Sequence, residues 1–155
     1  MLKKSLLLVL PFLLTACATP KYTVSPIQAA NQDSSITIVK DDATRPVFLD
    51  SMQSWCLDSN HQCKTVADGS QPNPEELTLT YVSRWSWDFR TFIADATIKA
   101  YKNSMKVGEV EFKAPNALNT SKFGDDRKRI HTMLELLFGK ETVSQAQSKI
   151  KSGEI

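Results

Sequence analysis

Three observations predict an α+β domain: a two-layer sandwich whose mixed, mostly antiparallel sheet carries two helices on one face. From residue 77 to residue 112 apolar and polar residues alternate, the period of strands with one buried face. Around residues 48–56 and 130–137 apolar residues recur instead at the spacing of an amphipathic helix. A short β-branched run, Ile36-Thr37-Ile38-Val39, precedes the first helix. The resulting order is strand, helix, strand, three-stranded meander, helix.

The chain opens with Lys3 and Lys4, then an apolar run to Leu14 broken only by Pro11, then Thr15-Ala16-Cys17. A cationic start, a short apolar core and small residues before a cut are the parts of a secretory signal over residues 1–16. The run is too short for a membrane-spanning helix, which needs about 20 apolar residues. Residues 17–34 show neither apolar period, and Pro20 and Pro26 interrupt them, so they read as a flexible tether. The seventeen residues from Ala18 to Ser34 span roughly 23 Å. The domain proper is expected over 35–139, followed by a polar, frayed tail over 140–155.

Within the domain, Asp41-Asp42-Ala43-Thr44 offers N-cap acceptors and Pro46 suits a first helical turn. Phe48, Met52, Trp55 and Cys56 then form one buried stripe, with Asn60 as a left-handed stop. A brief strand at 62–66 follows, which the helical crossover makes parallel to the first. Leu77, Leu79, Tyr81, Trp85 and Trp87 share one face of the next strand. A two-residue turn at Phe89-Arg90 sets Trp87 opposite Phe92, Tyr81 opposite Ile98 and Arg84 opposite Asp95. A three-residue loop at Asn103-Ser104-Met105 sets Ile98 against Val110, Lys99 against Glu109 and Thr97 against Glu111. A one-residue slip would bury these charges, so the register is strongly specified. In the last helix Ile130, Met133, Leu134 and Leu137 form the stripe, acids precede it, and Gly139 ends it.

Few residues carry recognisable chemistry. Cys56 and Cys63, an even pair behind a secretory signal, read as a disulfide. With His61 they could instead supply three metal ligands, but zinc wants four, at other spacings. His131 has no nucleophile partnered to it in any motif. Trp85, Trp87 and Phe89 are the candidate ligand contacts, through stacking. The register places both tryptophans beneath the helices, which favours a core role, while Trp87 and Phe89 lie where that cover thins. No residue is assigned to catalysis or to a metal. Lys3 and Lys4 leave with the signal, so 19 cations against 17 acids become 17 against 17. That balance gives no warrant for a nucleic-acid partner.

Leu14-Thr15-Ala16-Cys17 resembles the lipobox of bacterial lipoproteins. The resemblance implies a diacylglycerol on the Cys17 thiol and an acyl chain, such as palmitate, on its amine. No other cofactor is expected. With Ala18 rather than Asp after the cysteine, it also implies sorting to the outer membrane, facing the periplasm. Together with Ile-Thr-Ile-Val, Trp85-Ser86-Trp87-Asp88, Ala96-Thr97-Ile98 and the helix over 119–139, the chain resembles a group of small lipoproteins of Gram-negative bacteria. The group implies a location and a fold, and carries over no functional residue except Cys17. The expected role is a non-enzymatic envelope module that binds another envelope component. A glycan or small-ligand binder is the alternative, and an envelope hydrolase a more distant one.

Overall fold

A computed structural model describes residues 20–115 and 119–155. Cys17 and the expected signal lie outside the described residues. The sheet has six strands: β1 (Lys21–Ser25), β2 (Ser35–Val39), β3 (Gln62–Val66), β4 (Leu77–Asp88), β5 (Arg90–Lys102) and β6 (Met105–Lys113). Their order across the sheet is β1-β6-β5-β4-β2-β3. Three helices accompany them, α1 (Pro46–Asp58), α2 (Asp126–Leu137) and α3 (Val143–Ser152). The class is α+β with a mixed open sheet, as expected.

The β2-α1-β3 unit forms because each piece has one apolar side to bury. Ile36 and Ile38 lie under the Phe48, Met52, Trp55 and Cys56 stripe of α1, all buried. The crossover makes β2 parallel to β3, with Ile36 opposite Cys63, and β2 also runs parallel to β4. Asn60 stops the helix at φ +57°. The expected caps do other work. No side chain caps α1, whose first residue, Pro46, has no N–H to satisfy. Asp41 instead folds its own turn, accepting from Ala43 N (3.1 Å) and Thr44 Oγ1 (2.6 Å). Thr44 Oγ1 accepts from Ser83 N (2.9 Å), tying that turn to β4.

The meander keeps the expected register over its middle. Tyr81 faces Ile98, Arg84 faces Asp95, Ile98 faces Val110 and Lys99 faces Glu109. The turn at the far end differs in form. Asn103 and Ser104 both take positive φ, 51° and 62°, as a two-residue type I′ hairpin requires. A bulge at Val107 then restores the pairing of Ala100 with Gly108. At the other end a bulge at Ala94 shifts the register by one. Trp85 therefore faces Ile93, and Trp87 faces Thr91 rather than Phe92.

Two segments expected to lie outside the domain belong to it. Residues 21–25 are not tether but β1, antiparallel to β6 from Lys21 opposite Lys113 to Ser25 opposite Glu109. Tyr22 packs on Phe112, ring centres 5.1 Å apart, and β1 covers an edge that β6 would otherwise expose. Ile27 is buried, and its N–H donates to Leu137 O (2.8 Å). Gln32 Nε2 donates to Ile27 O and Phe138 O. The tail is likewise ordered as α3. A Thr142–Gln145 capping box starts it, Ala146 and Ile150 are buried, and Gln147 Nε2 donates to Pro20 O (2.8 Å). Each segment is ordered by what it packs on, β1 by the edge of β6 and α3 by β1.

Gly108 lies where this closure is tightest. A Cβ there would stand 2.7 Å from Ile27 Cγ1 and 3.0 Å from Leu137 Cδ1. Gly108→Ala is expected to cost about 1–2 kcal/mol by overpacking. Urea unfolding measures it, and an unchanged midpoint would contradict the contact.

Candidate functional site

The candidate site is the end of the sheet where the β4–β5 hairpin outruns its neighbours. Lys21, Lys113, Asp95 and Arg84 form one row across β1, β6, β5 and β4. Beyond that row only β4 and β5 continue, joined through Phe89. The helical cover ends there too: α2 begins beside Ile93, whose N–H donates to Asp126 Oδ1 (3.4 Å). Burial pushes the Asp126 carboxyl up, against that N–H and the Arg129 charge.

The three aromatic candidates therefore separate. Trp85 packs at the margin of the core, its Nε1 donating to Ser83 Oγ (2.7 Å) and the Arg45 guanidinium 5.3 Å above its ring. Trp87 is 70% exposed and Phe89 90%, their rings 6.0 Å apart. The expectation that both tryptophans lie under the helices is thus corrected for Trp87, because the helical layer stops short of it. Phe89 takes φ +62°, a left-handed conformation that bulky side chains seldom adopt.

Beside the hairpin lies an open cleft of about 510 Å³, lined by Arg84, Ser86, Trp87, Phe92, Lys113 and Lys122. Its far wall is a 3₁₀ turn, Thr120–Phe123. Phe92 meets Phe123 edge-on at 5.7 Å, and Lys122, nearly buried, pairs with Asp88. The adjoining sheet face is uncovered and polar, with Arg84 paired to Asp95 and Lys99 to Glu109 (3.7 Å).

What holds that turn in place is Arg129, fully buried on the first turn of α2. Its Nη1 donates to Lys122 O (2.6 Å) and its Nη2 to Ser121 O, with the guanidinium 5.2 Å over the Phe112 ring. Within Asp125-Asp126-Arg127-Lys128-Arg129 it reads as one more solvated charge. Its position four residues before Met133 puts it on the buried stripe, and that was the available signal.

Cys56 and Cys63 form the expected disulfide, joining the end of α1 to the start of β3 with Cα atoms 6.1 Å apart. His61, the rival third ligand, stacks on Trp55 (5.1 Å) and meets Phe138 (5.2 Å). Among the described residues no three His, Cys, Asp or Glu side chains group to hold a metal. His131 sits half-buried on α2, and the cleft is lined by neither histidine. Burial, then the Lys140 charge, holds His61 below its ordinary value of 6.5, and its Nδ1 is buried without a partner. The unfolded chain gains a proton below pH 6.5 that the folded chain resists. Stability should therefore fall as pH drops from 6.5 toward the lowered value, and His61 should contribute no slope well above 6.5. The difference in urea midpoint between wild type and His61→Phe across that window isolates the effect; parallel profiles would refute it.

Fold and site together define an open-faced, disulfide-bridged α+β domain with an aromatic hairpin at one sheet end. No family model matches the chain, and a search of curated proteins found no match either. Among the described residues no helix is long and apolar enough to cross a membrane.

Proposed function

We propose that the protein is an exported lipoprotein, held by acyl chains on Cys17 at the periplasmic side of the outer membrane. There it works as a non-enzymatic module that binds another component of the envelope. The signal-like residues 1–16 and the Leu-Thr-Ala-Cys sequence support the anchoring, and a disulfide suits an oxidising compartment. Two acyl chains already suffice for stable anchoring, so three make release negligible. The observation that carries the binding role is the uncovered sheet face, which runs into a cleft walled by exposed Trp87.

Cys17→Ala is expected to lose label from radioactive palmitate and to leave the membrane fraction entirely. A variant that stays labelled and membrane-bound would sink the anchor. Crosslinking in intact cells followed by mass spectrometry tests the binding role, and failure to recover a repeatable partner would count against it. A second reading, a glycan or small-ligand binder, is favoured by Trp87 and Phe92 sharing one cleft. It requires a saturable change in tryptophan emission on titration with envelope glycan fragments.

A further inference from the structure

We propose that the Trp87–Phe89 hairpin tip is a second, non-covalent membrane contact that seats in the headgroup layer of a phospholipid bilayer. The inference rests on the lipid-anchor reading and names the partner of the aromatic end of the site. Its first support is distance. β1 begins at Lys21, in the same row as Arg84, and four Cα–Cα steps lead from Lys21 back to Cys17. Fully extended, they reach about 14 Å. From Arg84 to Phe89 the hairpin advances five residues in the same direction, roughly 16 Å. A lipid held at Cys17 thus brings the bilayer surface to the hairpin tip, and any shortening of the linker presses the tip into it.

The chemistry of the tip fits that surface. Tryptophan and its amphipathic ring favour the headgroup level, and an adjacent phenylalanine adds apolar area that gains from leaving water. Arg90 stands exposed beside the tip, Lys21 and Lys113 stand exposed in the row behind it, and none of the three takes part in the ion pairs of the described residues. Of the acids toward this end, Asp88 is paired with Lys122, Asp95 with Arg84, and Asp126 accepts from Ile93 N. The tip therefore meets lipid phosphates with Arg90, and Lys21 and Lys113 stand behind it. The left-handed backbone at Phe89 is the third support: the turn keeps a large aromatic at a position that favours glycine or asparagine. Seated this way, the module stands close against the bilayer rather than at the end of a long tether. Its polar sheet face remains open to a partner.

The test uses the full-length lipidated protein in vesicles of phosphatidylethanolamine and phosphatidylglycerol, with plain or brominated acyl chains. Palmitate labelling of the same preparation is the control. The chain has three tryptophans, Trp55, Trp85 and Trp87. Brominated lipid should quench wild-type emission, and Trp87→Phe should abolish that quenching. Val82→Trp, added to the Trp87→Phe background on the open sheet face, should remain unquenched. Labelled protein with equal emission in both vesicles would overturn the docking and leave the anchor standing. Quenching at Val82→Trp as strong as at Trp87 would overturn it as well, by showing a face laid flat on the lipid. Absence of palmitate label would remove the anchor, and the docking with it.

Discussion

Replacing Arg129 with alanine is expected to lower the unfolding free energy by about 3–5 kcal/mol. Three losses combine. The carbonyls of Ser121 and Lys122, which the guanidinium satisfies, are left without that donor in a dry site. The side chain is fully buried, so its removal opens a cavity beside Phe112. Asp126, 4.0 Å away, loses the charge that opposes its burial, and its carboxyl should be pushed further up. Arg129→Lys should recover only part of the loss, because an ammonium cannot reproduce the guanidinium fork. The damage should also be local: with the 3₁₀ turn released, the Lys122–Asp88 pair and the far wall of the cleft loosen first. Urea unfolding gives the stability, and amide exchange at 119–124 gives the location. A cost under about 1 kcal/mol for Arg129→Ala would refute the buried-anchor role.

Breaking the Cys56–Cys63 bridge should cost about 2–3 kcal/mol, the value chain entropy assigns to so short a loop. The two cysteines are seven residues apart, and the segment between them carries the helix stop at Asn60 and the stacked His61. Reduction frees the end of α1 from the start of β3, and β3 is an edge strand held on one side only, by β2. Cys56→Ala with Cys63→Ala is the suitable variant. Serine at position 56, which is buried, would add the cost of an unsatisfied hydroxyl. Equal urea midpoints for the oxidised protein and the double variant would contradict the expectation.

The two effects differ in how visible they are in the sequence. A pair of cysteines behind a secretory signal reads as a bridge at once, because few other chemistries use that residue in that compartment. An arginine in a run of five charged residues reads as solvated, and nothing local separates it from Arg127 or Lys128. Only the helical phase, which aligns it with Met133, marks it for burial. The same holds for the aromatic end. Alternation along 77–87 sends Trp85 and Trp87 to one side, and strand pairing does place them so. Whether a helix covers that side depends on where α2 starts and where Ala94 bulges, and neither is a property of β4.

Local pattern by itself determined the α+β class, the parallel β2–β3 crossover, the meander register through Arg84–Asp95 and Lys99–Glu109, and the bridged cysteines. Each depends on neighbours in sequence or on a period of two or 3.6 residues, which the chain carries wherever it goes. Tertiary structure alone decided that residues 21–25 form a strand, that 143–152 form a packed helix, and that Arg129 is buried while Trp87 is not. These outcomes depend on which surfaces meet: β1 needs the free edge of β6, α3 needs β1, and Trp87 stays in water because the helical layer ends two residue pairs before it. A short segment with two apolar side chains has too little to bury alone, so its conformation is settled by the partner it finds.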